Sequence, residues 1–139
     1  MAKAFRLKLD ILGVEKIVFS PFLGIAGTID LFAQNKDDKT YYIIDHKTNE
    51  KIEKENTFGK FCLDPIKHVP DLSFYHYALQ LNLYEYLLKT ERYVRKDAKF
   101  KLVLNHITPS ESKIISLPDM QSEIKDMLIY HFAKKANNL

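Results

Sequence analysis

Apolar and polar residues alternate near the start of the chain. Phe5, Leu7 and Leu9 are interleaved with Arg6, Lys8 and Asp10, the period of a half-buried strand. A second apolar stretch, residues 14–19, stops at Ser20-Pro21. A third, residues 25–33, carries the β-branched Ile25, Thr28 and Ile29. The polar run Asn35-Lys36-Asp37-Asp38-Lys39 then supplies turn residues before a fourth strand, residues 40–47. Asn and Asp start turns by bonding their own backbone, so the third and fourth strands predict a hairpin.

Residues 49–70 have no clear period. The charged run at 50–55 allows a short helix, and Pro65 and Pro70 punctuate the end. So long a connection in a compact domain is usually functional or mobile. A long helix is expected from Asp71 or Ser73, both good N-cap residues, to about Arg92. Leu72, Leu79, Leu83 and Tyr86 recur at helical spacing, with Asn82, Glu85 and Lys89 marking the solvent side. Strands are expected at residues 100–107 and 113–117. A closing helix at 119–135 carries the stripe Met120, Ile124, Met127, Leu128 and Phe132. This order predicts an α/β fold, a mixed and largely antiparallel sheet with helices packed on it.

Composition narrows the setting. The chain has 139 residues, 46% hydrophobic and 28% charged, which fits one domain over residues 1–139 with its own core. No apolar run approaches the ~18 residues of a membrane span. The N-terminus has alternating charges and no apolar signal region, so no membrane partner and a cytoplasmic location are expected. The lone Cys62 excludes an intramolecular disulfide and any all-cysteine metal or iron–sulfur site. The net charge of +3 permits nucleic-acid binding without arguing for it. Only Arg6, Arg92 and Arg95 are arginine, so the cations suit phosphate contacts more than base reading.

The chemistry concentrates in Gly27-Thr28-Ile29-Asp30 and Ile43-Ile44-Asp45-His46-Lys47-Thr48. Asp30 and Asp45 fall on adjacent strands of the hairpin, and alternation puts Lys47 on the same face as Asp45. Two carboxylates can hold a hard divalent cation, and an ammonium beside them suits phosphate chemistry. The spacing equally describes a strand that has reached solvent, with Asp45 and Lys47 as a surface pair. On the long helix, Gln80 lies within the arc of Leu72, Leu79, Leu83 and Leu87, with His76 one turn before and Tyr84 one turn after. A glutamine there needs a hydrogen-bond partner, either in a site or on nearby backbone. No P-loop, G-x-S-x-G or H-E-x-x-H motif offers another enzyme class.

Together these residues carry a resemblance. Asp30, then Asp45-x-Lys47, then Gln80-Leu81-Asn82-Leu83-Tyr84 resembles the PD-(D/E)xK nuclease superfamily, and within it the RecB-type branch, with its Q-x-x-x-Y helix after the D-x-K strand. Residues 25–31 are similar to the strand bearing the first metal acid, and Asp45-His46-Lys47-Thr48 to the second. Residues 63–68 through 77–81 resemble the same region of phage exonuclease-like proteins. The likeness covers residues 15–88.

The resemblance implies a restriction-endonuclease-like fold and a metal-dependent DNA nuclease, an exonuclease of phage or bacterial DNA processing. It implies that Asp30 and Asp45 bind Mg²⁺ or Mn²⁺, with the backbone carbonyl of His46 as a further ligand. Lys47 orients the attacking water, while Gln80 and Tyr84 brace the site and the DNA. The family usually adds an upstream helix with a Glu or His that completes the metal site. Here the residues before Asp30 read as strands, and Glu15 is their only glutamate. A partner chain or a further segment would then supply that ligand, or the chain is a nuclease-fold module that binds DNA or a partner without cutting. The loop 49–70 is expected to emerge beside the site, where Lys51, Lys54, Lys60, Lys67 and His68 could meet phosphates.

Overall fold

The computed structural model describes residues 8–49, 51–55 and 59–137. Five strands form one sheet in the order of the chain: β1 (Leu9–Ser20), β2 (Ile25–Asn35), β3 (Tyr41–Lys47), β4 (Phe100–Ile107) and β5 (Ser112–Ser116). β1, β2 and β3 are antiparallel neighbours, β3 and β4 run parallel, and β5 returns antiparallel along β4. Parallel neighbours need a crossover, supplied by helix α1 (Ser73–Thr90); helix α2 (Gln121–Asn137) closes the chain. No helix among the described residues is long and apolar enough to cross a membrane. This is the mixed sheet with helices that the pattern predicts.

The expected hairpin forms between β2 and β3. Asn35 Oδ1 accepts the backbone N–H groups of Asp37 (2.8 Å) and Asp38 (3.2 Å), and Lys39 takes a left-handed backbone at φ 64°. The two strands expected at the start are one strand, β1. Its register on β2 shifts between Ile11 and Gly13, and Glu15 has φ 50°. These kinks break the alternation, which is why the pattern reads as two pieces. Phe5 and Leu7 lie outside the described residues.

Two local expectations fail, and they fail together. Residues 51–55 are not helical; Glu50 lies outside the described residues. The segment runs against the start of α1 instead, where Glu53 N–H donates to Ser73 Oγ (2.7 Å) and Phe74 N–H to Glu53 O (3.0 Å). Ser73 is thereby occupied, and the N-cap is Leu72, with no side-chain cap bond. One of the helix's orphan N–H groups is met by a neighbouring strand of backbone rather than by a cap.

The core lies between α1 and the sheet. Leu81, Tyr84, Leu87 and Leu88 pack on Val18, Ile29, Phe32, Ile43, Leu102 and Leu104, and Tyr41 stacks between Phe32 and Phe100. The helix is turned relative to its hydropathy pattern. Asn82 is fully buried and Glu85 is 7% exposed, whereas Gln80 is exposed. The reason is the second layer: the entry to α2 covers the face that composition marks as polar. Asn82 Nδ2 donates to Ala78 O (2.7 Å) and Pro118 O (3.0 Å). Its Oδ1 accepts Met120 N–H (2.8 Å) and Gln121 Nε2 (3.0 Å). Lys89 pairs with Glu85 at 2.7 Å. A polar residue with every group satisfied is tolerated inside, and hydropathy does not register the partners. In α2 itself only Ile124 is buried, joined by Met120 just before it; Met127, Leu128 and Phe132 are half-covered.

Replacing Asn82 by Leu keeps the volume but strands the Pro118 carbonyl and the Met120 N–H. Each such buried group costs ~1–3 kcal/mol, so Asn82→Leu is expected to lower stability by about 2–4 kcal/mol. Urea unfolding reads this as a lower midpoint with an unchanged slope.

Candidate functional site

The site begins where two strands part. Backbone pairing of β2 with β3 runs from Gln34↔Tyr41 to Leu31↔Ile44 and stops. Asp30 and Asp45 would be the next pair. Beyond that point β2 stays with β1 as far as Ile25↔Ser20, while β3 stays with β4 as far as Lys47↔His106. The sheet therefore forks, and the two acids stand at the crotch. One rung on, the His46 N–H donates to Asp30 Oδ2 (2.9 Å), so a side chain replaces the missing backbone partner.

β2 is also irregular here. Ile29 and Phe32 both enter the core under α1, although three residues apart in a regular strand would face opposite ways. Across from Asp30, between Lys16↔Ile29 and Val14↔Leu31, stands Glu15 with its left-handed backbone. That conformation is strained for a non-glycine residue, and it lets both strands bend at Asp30. Glu15 is exposed. Among the described residues no interaction ties its carboxylate to the aspartates.

On β3 the alternation holds. Ile43 is in the core, and Asp45 follows on the same face, 5% exposed. The Lys47 ammonium lies 2.9 Å from Asp45 Oδ2, and no hydrogen bond of good geometry reaches that oxygen. Burial pushes the Asp45 carboxyl above its ordinary pKa; the Lys47 ammonium opposes this, and the nearby Asp30 carboxyl adds to it. At Lys47, burial works against the charge, but Asp45, with help from Tyr77 and Asp30, outweighs it and holds the ammonium's pKa up. Lys47 stays charged, and Asp45 is a carboxylate whose charge the fold opposes.

Helix α1 lays a stripe along the fork. Tyr77 sits beneath Lys47, its ring centre 4.5 Å from the ammonium. Its hydroxyl accepts from Asn49 Nδ2 (3.2 Å), and the Asn49 carbonyl accepts from His106 Nε2 (2.6 Å). Two turns on, Tyr84 packs against the backbone of Gly27: a Cβ there would fall 2.4 Å from Tyr84 Cε1. Between them Gln80 Nε2 donates to the Tyr84 hydroxyl (3.0 Å). The structure thus gathers Asp30, Asp45 and Lys47 directly, with Gln80 and Tyr84 aligned on the facing helix. The His46 ring turns to the other side, where Nδ1 accepts from Asn105 Nδ2 (3.2 Å).

Gln80 is not the buried glutamine that the pattern implies; its partner is Tyr84, not backbone. Tyr77 and Asn49 carry no site expectation in the sequence, and Gly27 enters there only as part of the Asp30 strand motif. The 3,4 spacing of Tyr77, Gln80 and Tyr84 puts them on one helix face, and that signal would have found Tyr77. The loop cations are less free than expected. Lys54 lies over the Phe74 ring, Lys67 pairs with Asp64 (3.3 Å), and His68 is 3.9 Å from Glu123. His76 bonds Asp71 at 2.7 Å. Residues 56–58 lie outside the described residues.

The donor set suits a hard divalent cation. Asp45 Oδ2 is a buried anionic oxygen in ion-pair contact with the Lys47 ammonium, a second carboxylate stands beside it, and both acids offer only oxygens. Two carboxylates leave several positions to water and substrate, as Mg²⁺ prefers.

The raised pKa has a stability consequence. The folded state holds the Asp45 proton more tightly than the unfolded chain, whose ordinary value is 3.8. Its contribution is therefore fully present below that value and is lost as pH rises through the folded pKa. Asp45→Asn, a neutral isostere, is expected to melt higher than the native protein at neutral pH, with the difference vanishing in acid below the ordinary value. Melting curves across pH check the direction.

Comparison with curated proteins finds no match. A family model does match, over residues 2–138, nearly the whole chain and every element of the fork. The order of strands, the acids at the point of divergence and the crossover helix all lie inside that match, and the chain belongs to the PD-(D/E)XK nuclease superfamily.

Proposed function

We propose that this chain is a Mg²⁺- or Mn²⁺-dependent deoxyribonuclease, an exonuclease of the RecB-type branch that works in phage or bacterial DNA processing. The observation that carries the reading is Asp45. A carboxylate is held buried beside a second carboxylate and a charged lysine, where two strands separate. Such an arrangement costs stability and serves charge chemistry.

Asp30 and Asp45 would hold the cation, with the His46 carbonyl as a further ligand. When bound there, such a cation would supply polarisation of a phosphoryl oxygen and a lowered water pKa. Lys47, fixed by Asp45 and the Tyr77 ring, donates a hydrogen bond to the attacking water and stabilises charge growing on the phosphate oxygens. The water, its proton passing to solvent, would form a bond to phosphorus as the bond to the leaving sugar oxygen breaks, and that oxygen would take a proton from solvent water. Gln80, exposed and tied to Tyr84, would contact the DNA backbone. Tyr77 is a positioning residue for Lys47.

A second reading has its own observation. The fork joins only two acids among the described residues, since Glu15 stands apart. A nuclease-fold module that grips DNA or a partner without cutting would look the same.

Linear DNA with Mg²⁺ or Mn²⁺ tests both. Cleavage is expected, and Lys47→Ala or Asp45→Ala should each reduce it by at least about 10²-fold, the scale of losing one charge-stabilising group. Equal cleavage by both variants would sink the assignment. Calorimetry with Mn²⁺ separates the module: binding abolished by Asp45→Ala supports the nuclease, and no binding to the native chain supports the module. Tyr77→Leu should lower the rate by less, about tenfold, with Mn²⁺ affinity unchanged, because it loosens only Lys47.

A further inference from the structure

A second set of metal-binding side chains lies outside the fork. Cys62, Asp71 and His76 each offer one ligand atom, and the three atoms lie within 4.8 Å of one another. They come from separate places. Residues 60–62 and 69–71 form a short ribbon: Cys62 N–H donates to Val69 O (2.9 Å), Asp71 N–H to Lys60 O (3.0 Å), and Phe61 bridges Pro70. The ribbon carries Cys62 to Asp71. His76 lies in the first turn of α1 and its Nε2 bonds Asp71 Oδ1 at 2.7 Å. The support is rigid, for Ile66 and Val69 pack with Ala78 of α1 and Met120 at the entry to α2, and Cys62 packs against them. A cavity of about 430 Å³, lined by Cys62, Asp71, Met127 and Tyr130 among others, opens beside the trio.

We propose that Cys62, Asp71 and His76 form a zinc site with one open position. A thiolate and an imidazole are soft and borderline donors that favour Zn²⁺ over Mg²⁺ or Mn²⁺. Three protein ligands with a water in the fourth tetrahedral place is a zinc arrangement, and the cavity leaves room for that water. Cys62 binds as thiolate, its proton passing to solvent. His76 binds through Nε2 as the neutral ring, with its proton on Nδ1. The oxygen-only fork selects a different metal class, so the two sites are chemically distinct. Tyr77, which supports Lys47, directly follows His76. The zinc therefore ties the ribbon to the turn of α1 that serves the fork.

The test uses the full chain, zinc and cobalt, with no DNA, so its failure is separate from failure of the nuclease reading. After zinc loading and exhaustive dialysis, elemental analysis should find zinc bound to the native chain and to Asp45→Ala. Cys62→Ala and His76→Ala should each weaken it at least about tenfold, the scale at which even supporting partners of a ligand act. Cobalt in place of zinc should give the native chain a thiolate-to-metal charge-transfer band. This last measurement needs no variant, so it decides even if Cys62→Ala does not fold. No zinc retained by the native chain, or a cobalt spectrum without the thiolate band, overturns the proposal. So does zinc that survives Cys62→Ala and is lost in Asp45→Ala.

Discussion

One hydrogen bond sets the geometry on which the site depends. The Asp30 carboxylate accepts the His46 N–H at the second rung beyond the end of the β2–β3 ladder. A backbone carbonyl there would have continued the sheet and closed the fork. A carboxylate there does the opposite, because it satisfies the donor while holding the two strands apart. A strand-edge N–H left without its ladder partner is satisfied here by a side chain. The left-handed Glu15 across the hairpin lets β1 follow the bend without breaking its pairing with β2.

The fork is held open from the other side by α1. A helix that only covered a sheet would need one apolar face. This one is engaged on three. Leu81, Leu87 and Leu88 seal the core, Asn82 and Glu85 meet the entry to α2 and Lys89, and Tyr77, Gln80 and Tyr84 face the diverging strands. The Tyr84 ring fits only because residue 27 has no Cβ. The contact network from His106 through Asn49 and Tyr77 to Lys47 ties the end of β4 to the ammonium. Position at the fork is thus determined by packing several residues away from the acids.

Charge at the fork is opposed by the fold. Burial and Asp30 raise the Asp45 pKa even with Lys47 alongside, so the ion pair compensates only part of the desolvation. A surface pair of the kind the spacing also allows would not show this burial. The Cys62–Asp71–His76 cluster differs in kind. Its donors are mixed, its supports are a ribbon and a helix end, and it is separated from the fork by donor softness.

The sequence by itself determined the elements and the chemistry on offer. The polar turn at 35–39, the β-branched strands and the order of acids and lysine all follow from local periods, and local periods survive in one dimension. The family resemblance rested on the same ordered motifs, and the match over residues 2–138 shows the same superfamily. Only the tertiary structure decided which face of α1 is buried, because Asn82 is tolerated inside through partners far along the chain, at Pro118 and Met120, while Glu85 is paired with Lys89 one turn on. It also decided that Asp45 is buried rather than at the surface. The fork is not written in a local pattern, and spacing alone puts Tyr77 on the helix face of Gln80 and Tyr84 without placing Lys47 over its ring. The fork is the point where two strands stop sharing hydrogen bonds, and that is a property of pairs of segments, not of either one.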